Sequence, residues 1–389
     1  MRYKAGVTIR VLAVGLLGAA AALAQESPLP DSAVLINFPK GSPVERIGLD
    51  KRDSRISTRG SAIMVDLDAL LMLRNASTNR IHGITLRVVS QETTAFGKGR
   101  MSIPMLNVGP GDAFSVHIAL NLVRPQGVGP LVEISLDGVL FQDLSFVGPD
   151  LLHTRRDLVA WDMEAQRDRN YFKQILARNG PKGLQAAMLQ EMARMQDRPQ
   201  LDRPQIRRGP VVTSAAAPIA ERNQKMAFVA FADSPVEVVT GSAMVAGSQV
   251  SEPHIEVRNR TAIPVKFVEI GWLVEDQAGK SYLAATVPSS QDDLALGAGK
   301  MATFSQDTSM KLSRNGQPLN IQGMRGYVSR VEFEDHKVWV PTRQNLDDPA
   351  LRNVLPPSAE VLRLSELYRK GLDVLIAELR KDQQPEGAK

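Results

Sequence analysis

The chain of 389 residues contains no cysteine. Disulfide bonds, thiolate metal sites and cysteine nucleophiles are therefore excluded. A lipid anchor of the bacterial lipoprotein type is excluded as well, because it requires a cysteine at the cleavage point of the export signal. Domains of this size do not depend on disulfides, since an apolar core can hold them together.

Aromatic residues are scarce, at 5% of the chain, and neither sign of charge is in large excess. The 47 Lys and Arg residues stand against 42 Asp and Glu residues. Three of the basic residues (Arg2, Lys4 and Arg10) lie in the predicted export signal described below, which leaves 44 basic and 42 acidic residues and a net charge of +2. That balance is too small to indicate a nucleic-acid partner.

The common catalytic and phosphate-binding motifs are also missing. No His-Glu-x-x-His, Gly-x-Ser-x-Gly or Gly-x-x-x-x-Gly-Lys-Ser/Thr pattern occurs in the sequence. Two short groups carry metal-capable side chains, but neighbouring strand residues point to opposite faces and such a run cannot surround one ion alone. We therefore predict no catalytic, cofactor-binding or metal-binding residue. The residues considered are Asp66-x-Asp68, Glu334-Asp335-His336 and the other histidines, His82, His117, His153 and His254.

The N-terminus has the three parts of an export signal: early positive charge, an apolar run from Val11 to Leu23, and a small-x-small cleavage site at Ala22-Leu23-Ala24. The apolar run is shorter than the ~20 residues of a membrane-spanning helix, and no later stretch is apolar enough to span. We predict a signal peptide over residues 1–24, a mature chain that begins at Gln25 without a transmembrane segment, and a periplasmic or extracellular location.

One pattern occurs twice in the chain. Leu73-Arg74-Asn75-Ala76-Ser77 recurs as Val257-Arg258-Asn259-Arg260-Thr261, and each copy is followed by an alternating apolar run, a Gly-x-Gly turn and a further apolar strand. We call the span from Val34 to Phe146 the first repeat and the span from Met226 to Val340 the second repeat. Each is long enough to bury its own core, so the sequence predicts two copies of one domain. Both Asn-x-Ser/Thr triplets match a glycosylation sequon, but we interpret them as turns closed by side chains.

Within each repeat, short alternating runs bounded by Gly, Pro, Asn and Asp indicate antiparallel strands with one buried face. We predict a mainly β fold of two tandem immunoglobulin-like β-sandwiches, each followed by helical segments, over residues 25–150 and 223–345. Val268, Ile270, Trp272 and Val274 should share a buried face, with Trp272 equivalent to Val88. The Asp137-Gly138 pair is interpreted as a tight hairpin turn.

Helical periodicity predicts a helical pair over residues 151–197, interrupted at Asn179-Gly180-Pro181. Residues 198–222 are rich in Pro, Arg and Ala and are interpreted as an extended linker. Ser358 can cap a C-terminal amphipathic helix within residues 356–381, and the tail 382–389 should be disordered. The apolar stripe of that helix either docks on the inter-domain helices or forms a homodimer, and it is the candidate partner-binding site: Leu364, Tyr368, Leu372, Leu375 and Leu379.

The segment from Ile255 to Phe304 resembles the small immunoglobulin-like extracytoplasmic domains of bacteria called FxLYD-like. It has a strand ending at Asn259-x-Thr261, an alternating strand from Phe267, a polar-Gly hairpin over residues 275–280 and a Leu296-x-x-Gly299 turn. Where that motif has Leu-Tyr-Asp, this chain has Leu273-Val274-Glu275-Asp276. The resemblance implies a fold and an extracytoplasmic location, and it implies no catalytic residue.

These observations together predict an exported, non-enzymatic interaction or scaffolding protein of the bacterial cell envelope, with protein partners and no cofactor. Two alternatives remain at this stage. The first is a carbohydrate or small-molecule binder that uses loops at one end of a sandwich, for which Trp339 is the tryptophan nearest to loops. The second is a hydrolase whose site is assembled from distant loops.

Overall fold

A computed structural model describes residues 26–90, 98–125, 130–208, 221–289 and 294–381. The predicted signal peptide, the predicted disordered tail and residues 209–220 of the predicted linker lie outside this part of the chain. The described chain is mainly β, as predicted, with four sheets of five or six strands, one two-stranded ribbon and a smaller helical part. In these ranges, no helix combines the length and the apolar character that a membrane crossing requires.

The first repeat and the residues just before it form ten strands. Five of them make a sheet with β5 at its centre: β3 and β4 pair with one side of β5, β8 pairs with the other, and β1 extends the sheet beyond β4. The other sheet has the order β10-β9-β6-β7, and β2 pairs with β9 in parallel. The bounds are β1 Glu26–Pro28, β2 Val34–Asn37, β3 Val44–Asp50, β4 Arg55–Arg59, β5 Ala62–Asn75, β6 Ile81–Ser90, β7 Lys98–Ile103, β8 Ala113–Pro125, β9 Val132–Phe141 and β10 Phe146–Val147.

Helix α1 follows the first repeat, and the second repeat follows α1. The elements are α1 Arg155–Asp197, β11 Gln205–Arg208, β12 Arg222–Lys225, β13 Ala227–Val229, β14 Val236–Ala246, β15 Gln249–Asn259, β16 Val265–Glu275, β17 Ser281–Pro288, β18 Met301–Ser305, β19 Thr308–Lys311, β20 Ser313–Arg314, β21 Gln317–Pro318, β22 Gly323–Phe333 and β23 Val338–Trp339. Four helices end the described chain: α2 Arg343–Leu346, α3 Pro349–Arg352, α4 Ala359–Lys370 and α5 Leu372–Arg380.

The two large sheets of the second repeat share one apolar core. One sheet has the order β11-β19-β15-β14-β12, with β18 also on β15, and the other has the order β13-β22-β16-β17, with β23 on β22. Alternation along β16 sends Val268, Ile270, Trp272 and Val274 into this core, as predicted, together with Ile255 and Val257 of β15. Trp272 is 3% exposed and its counterpart Val88 is 7% exposed, so both face inward.

The same backbone hydrogen bonds recur in both repeats. In each one, the Asn at the end of the long central strand donates its N–H to the residue that follows the Gly-x-Gly turn and accepts the N–H of the last Gly of that turn. The first residue of the next strand donates to the residue three positions before that Gly. A fourth bond joins the residue just before this next strand to the hairpin near the end of the repeat. The corresponding pairs are Asn75 N to Asp112 O and Asn259 N to Lys300 O, Gly111 N to Asn75 O and Gly299 N to Asn259 O, Ile81 N to Val108 O and Val265 N to Leu296 O, and Gln142 N to Arg80 O and Glu334 N to Pro264 O. Two segments with different core residues therefore share one hydrogen-bond frame.

The chain divides into two compact units, and the division runs through the first repeat. Among the described residues, one unit holds residues 26–77, the end of β6, the start of β7 and residues 111–135. The other holds residues 78–86, 101–110 and everything from Leu136 onward. In the first unit, alternate residues of β5 from Val65 to Leu73 are buried, as are Val116, Ile118 and Leu122 of β8.

The predicted turn at Asp137-Gly138 is wrong. Both residues lie inside β9, and Asp137 is 1% exposed. Its carboxylate accepts the backbone N–H groups of Leu151 at 2.9 Å and Leu152 at 3.2 Å. A Cβ on Gly138 would lie 2.0 Å from the ring of Phe146, so this glycine makes room for an aromatic ring and not for a turn.

The helices differ from the predicted ones in where they break. The predicted helical pair runs as α1, which is interrupted only at Gly180 (φ 65°, ψ −169°) before Pro181. The C-terminal helix, predicted as one, is divided into α4 and α5 at Gly371 (φ 149°, ψ 146°), a conformation that L side chains rarely adopt. Ser358 caps α4 as predicted, since its Oγ accepts the N–H of Val361 at 3.3 Å.

Part of the predicted linker belongs to the second repeat. Strand β11 pairs antiparallel with β19, and Leu201 packs against the core of the second repeat. Asp202 accepts hydrogen bonds from Ser313 Oγ at 2.9 Å, Asn315 N at 3.0 Å and Gly316 N at 2.9 Å. An extended segment with few apolar residues can still be held by backbone pairing at a sheet edge, which composition alone does not reveal.

Candidate functional site

Charged side chains on α1 are paired with the outer face of the second repeat. Asp157 in the first turn of α1, where the helix dipole favours an acid, accepts a hydrogen bond from Arg330 of β22. Arg330 also lies 3.6 Å from Glu269 of β16. The next residue of α1, Arg156, lies 3.4 Å from Glu332. These pairs are largely buried, so water screens them little.

Arg156 has a second contact of a different kind. Its guanidinium lies 4.2 Å from the ring centroid of Phe267, which projects from β16 on the face opposite the core. A cation over an aromatic face is stabilised by the ring quadrupole. At Phe267, the face of β16 that alternation would expose to water is thus covered by Arg156 of α1.

A second group of charges lies where α1 meets the segment after β23, and we call it the charged cleft. Arg343 is at its centre: its guanidinium lies 3.6 Å from Asp168 and donates a hydrogen bond to Glu191. Burial alone would lower the pKa of Arg343, but the carboxylates of Glu191, Asp168 and Asp347 more than offset this and raise it. The cation therefore stays charged despite its low exposure.

Two further arginines complete the charged cleft. Arg167 donates to both oxygens of Asp168, at 3.0 and 2.9 Å, and to the carbonyl oxygen of Pro341 at 2.9 Å. Arg194 lies 2.8 Å from Glu191 and donates to the carbonyl oxygen of Arg352 at 2.6 Å. Each buried carboxylate thus has two arginine partners, and two of the arginines also bond main-chain carbonyls after β23.

The charged cleft is too small for an organic substrate. It encloses about 30 Å³ of space for water, whereas ligand pockets commonly measure about 300–1,000 Å³. That space holds one or two water molecules. Its walls are made by Arg167, Asp168, Arg194, Arg343, Leu346, Asp347, Arg352, Leu355, Pro356, Pro357, Ser358 and Val361. The arrangement can hold segments of chain together, and its charged groups are occupied by one another.

Two groups beside this network have shifted pKa values. Burial is the main reason that the pKa of the Glu164 carboxyl is raised, and nearby Arg167 opposes the shift. The pKa of the Tyr327 hydroxyl is also raised, first by burial and then by the charges of Glu269 and Glu164. The Tyr327 ring lies against Gly271, where a Cβ would be 2.3 Å from the ring, so this glycine is required by the close approach.

The histidines pair with acids in separate places. His82 Nδ1 lies 2.9 Å from Asp162 Oδ1, and the other oxygen of Asp162 accepts from Gln166 Nε2 at 2.7 Å. His117 Nε2 lies 2.6 Å from Asp68 Oδ1, and His336 Nδ1 lies 3.3 Å from Glu332 Oε1. Across the part of the chain that the structure describes, no three His, Cys, Asp or Glu side chains come together as metal ligands would.

The predicted partner-binding stripe is covered within the chain. Leu364, Leu375 and Leu379 are at most 1% exposed and share one cluster with residues of α1. Tyr368 and Leu372 are partly buried against the same cluster. Arg169 of α1 adds ion pairs to Glu360 at 2.9 Å and to Glu378 at 3.6 Å. This is the arrangement expected of docking on the inter-domain helices, and it leaves the three leucines closed to other partners in this conformation. The α1 members of the cluster are Phe172, Leu184 and Met188.

The Asn-x-Ser/Thr triplets form turns closed by side chains, as interpreted from the sequence. Asn75 Oδ1 accepts from the backbone N of Ser77 at 3.0 Å and from its Oγ at 2.7 Å. Asn259 Oδ1 accepts from the N of Thr261 at 2.8 Å and from its Oγ1 at 2.9 Å, while its Nδ2 donates to the carbonyl oxygens of Ile263 and Leu296. Both asparagines are at most 1% exposed.

The charged cleft was missed by the sequence analysis, although one signal was present. Asp168 follows Ala165 by three positions and precedes Phe172 by four, which places an acid on the buried stripe of α1. A charge on a buried stripe requires a buried partner. Nothing in the sequence indicates that the partner is Arg343, because the two residues are brought together only by the fold.

Comparisons with known proteins give no family for this chain. No protein-family model and no curated protein matches it. Three solved structures that resemble it do so weakly. Red sea bream transglutaminase has 7% identity and a TM-score of 0.13, over 77% of this chain and 31% of that one. A structure named pT26-6p has 8% identity and a TM-score of 0.17, over 84% and 70%. An allantoicase from Saccharomyces cerevisiae has 7% identity and a TM-score of 0.09, over 73% and 89%. The chain thus spans about a third of the transglutaminase, and TM-scores this low carry no argument about fold or activity.

Proposed function

We propose that this protein is an exported, non-enzymatic interaction and scaffolding protein of the bacterial cell envelope. It is built from two tandem immunoglobulin-like β-sandwiches, each followed by helical segments. Its partners are other proteins of the envelope. It works through surfaces of its sheets, without a cofactor and without a chemical step.

The observation that carries this proposal is how α1 uses its charges. Its acids and arginines form ion pairs with β22 and α4, and with the segment that follows β23. A catalytic acid or base needs access to substrate, and its pKa is matched to its task. Charges that are buried, paired and directed at main-chain carbonyls fit a structural role instead. The recurring hydrogen-bond frame further supports two copies of one binding domain.

Trp339, the residue on which the carbohydrate-binding alternative depends, is unsuited to stacking on a sugar. Trp339 is partly buried and its ring centroid lies 6.3 Å from that of Phe231, within a cluster that also contains Leu273 and Leu351. A sugar-binding platform requires an exposed aromatic face. No observation favours this alternative or the hydrolase over the proposed function.

The test combines localisation with partner capture in the native host. We expect the protein in the extracytoplasmic fraction with an N-terminus at Gln25, and we expect crosslinking in living cells to recover the same envelope protein repeatedly. The control is the same chain without residues 1–24, which should stay inside the cell and recover none. A full-length chain that begins at Met1 in the membrane fraction contradicts export. An exported chain that crosslinks to no protein contradicts the interaction role.

A further inference from the structure

The second repeat fills one sheet edge with a strand from outside the repeat. Strand β19 pairs with β15 on one side. On its other side it pairs antiparallel with β11, with Ile206 opposite Met310 and Arg208 opposite Thr308. Strand β11 precedes the second repeat in the chain and reaches this edge from the segment after α1. The edge of this sheet in the second repeat is therefore covered.

The first repeat has the same edge, formed by β8. The end of β8 pairs with the start of β5, as β19 pairs with the start of β15. Among the residues that the structure describes, β5 is the only strand that pairs with β8. The other outlying strands of the two repeats correspond: β1 on β4 matches β12 on β14, and β2 on β9 matches β13 on β22. Strand β11 and the β20–β21 ribbon have no equivalent in the described first repeat.

The middle of the β8 edge lacks the devices that keep edge strands from pairing. Proteins commonly protect an open edge with Lys, Pro or a short strand. Residues 115–123 of β8 read Ser-Val-His-Ile-Ala-Leu-Asn-Leu-Val, with no Lys, Arg, Pro or Gly. Such residues stand at the end of the strand, which closes with Arg124-Pro125, as β11 closes with Arg207-Arg208 and β19 with Lys311. The stretch from Ser115 to Val123 is therefore open to pairing, and it stops before Pro125.

The outward face beside this edge is apolar at one end. Val123 is 46% exposed and lies opposite Met64, which is 41% exposed. Asn121, Ala119 and the His117–Asp68 pair continue along the same face. In the second repeat, the outward residues of β15 are instead Glu252, His254 and Arg258. An added strand on β8 would gain main-chain hydrogen bonds and an apolar contact with Val123 and Met64.

We propose that the edge of β8, which is unpaired among the described residues, accepts an extended segment of a protein partner, which pairs antiparallel with residues 115–123 as β11 pairs with β19. The segment places an apolar side chain against Val123 and Met64. This inference rests on the proposed function, because it names the surface by which the interaction module binds.

The test places a photo-crosslinking amino acid at one of four positions of the full-length exported chain, in separate strains: His117, Ala119, Asn121 or Val123. The matched control is Met301, which is 44% exposed on β18 of the second repeat. We expect crosslinks from the four positions to map to successive alternate residues of one partner segment in reverse order. That order is the signature of antiparallel pairing.

Two substitutions test the contact itself, with a crosslinker at Asn121. Val123→Lys should lower the crosslink yield about tenfold, which is about 1.4 kcal/mol, while Met301→Lys should leave it unchanged. Ala119→Lys is a second edge variant in case Val123→Lys fails to fold, and thermal unfolding checks both. Crosslinks that join β8 to β8 of a second copy of this chain overturn the partner we propose. A partner captured only from other positions contradicts binding at the β8 edge but leaves the proposed function standing. Capture of no protein from any position contradicts both the binding at the β8 edge and the proposed function.

Discussion

Replacing Arg343 should be among the most destabilising single substitutions outside the apolar cores. Arg343→Met keeps a similar stem but removes the cation between Asp168 and Glu191, which are 1% and 4% exposed. Removing one partner of a buried ion pair costs about 3–5 kcal/mol, because a charge is left without compensation. Each carboxylate keeps a second arginine, Arg167 or Arg194. We therefore expect the lower end of that range, about 3 kcal/mol.

The matched control is Arg369→Met on α4. Arg369 pairs with Glu366, and the two side chains are 56% and 62% exposed. Exposed pairs of this kind contribute less than about 1 kcal/mol. Urea unfolding of the full-length protein, followed by circular dichroism, compares the two variants. Because a chain with several cores need not unfold in one step, hydrogen exchange of α1 is measured alongside.

A loss no larger than that of Arg369→Met would refute the role given to the charged cleft.

Four further outcomes are expected. Leu375→Ala should lower the unfolding free energy by about 2–5 kcal/mol, because Leu375 is fully buried, and Val374→Ala by less than about 0.5 kcal/mol, because Val374 is 42% exposed. A wild-type dimer that Leu375→Ala converts to a monomer in sedimentation would contradict docking of the C-terminal helices on α1. Glu164→Gln should raise the urea midpoint near neutral pH and not at about pH 4, since the pKa of Glu164 is raised by burial and the ionised form opposes folding only as pH rises; an equal gain at both pH values would show that charge is not the cause. Asn259→Ala should cost about 1–3 kcal/mol, because it strips the backbone N of Thr261 and two carbonyl groups of their partner, and Arg258→Ala at the adjacent exposed position is its control in thermal unfolding. Gly271→Ala should cost about 1–3 kcal/mol, because the new Cβ meets the Tyr327 ring, and Gly297→Ala, whose Cβ would lie 3.6 Å from Lys300 Cγ, is the tolerated comparison. Adding Tyr327→Leu to Gly271→Ala should restore part of the lost stability, and no recovery would mean that the Tyr327 ring is not the obstacle.

Local features with a single physical meaning were predictable from the sequence. The alternation along β16 set which side chains enter the core, and Ser358 marked the start of α4. The same holds for the Asn turns, since an Asn followed two residues later by Ser or Thr closes a turn in either repeat. These predictions depend on neighbours in the chain, which the sequence contains in full.

Two of the predictions that failed depended on distant residues, and a third, at Gly371, had a local signal. Asp137-Gly138 has the composition of a turn, but the N–H groups of Leu151 and Leu152 hold the acid inside a strand. Gly371 carried a readable signal, because it follows Arg369 and Lys370, as a glycine after the basic last turn of a helix commonly does. Strand β11 carried none, since its place is set by the open edge of β19 and not by its own residues.

The hydrogen-bond frame shared by the two repeats suggests how such a domain diverges after duplication. A valine can become a tryptophan, as at Val88 and Trp272, when neighbouring side chains change to make room. Asn259 serves four backbone and hydroxyl groups with one side chain, and no other residue type presents the same donors and acceptors at that length. Under the predicted duplication, a few polar positions keep their role in both repeats while the apolar ones change. A search for distant relatives weighted toward the Asn turn and the Gly-x-Gly turn should detect kinship that comparison of whole sequences overlooks.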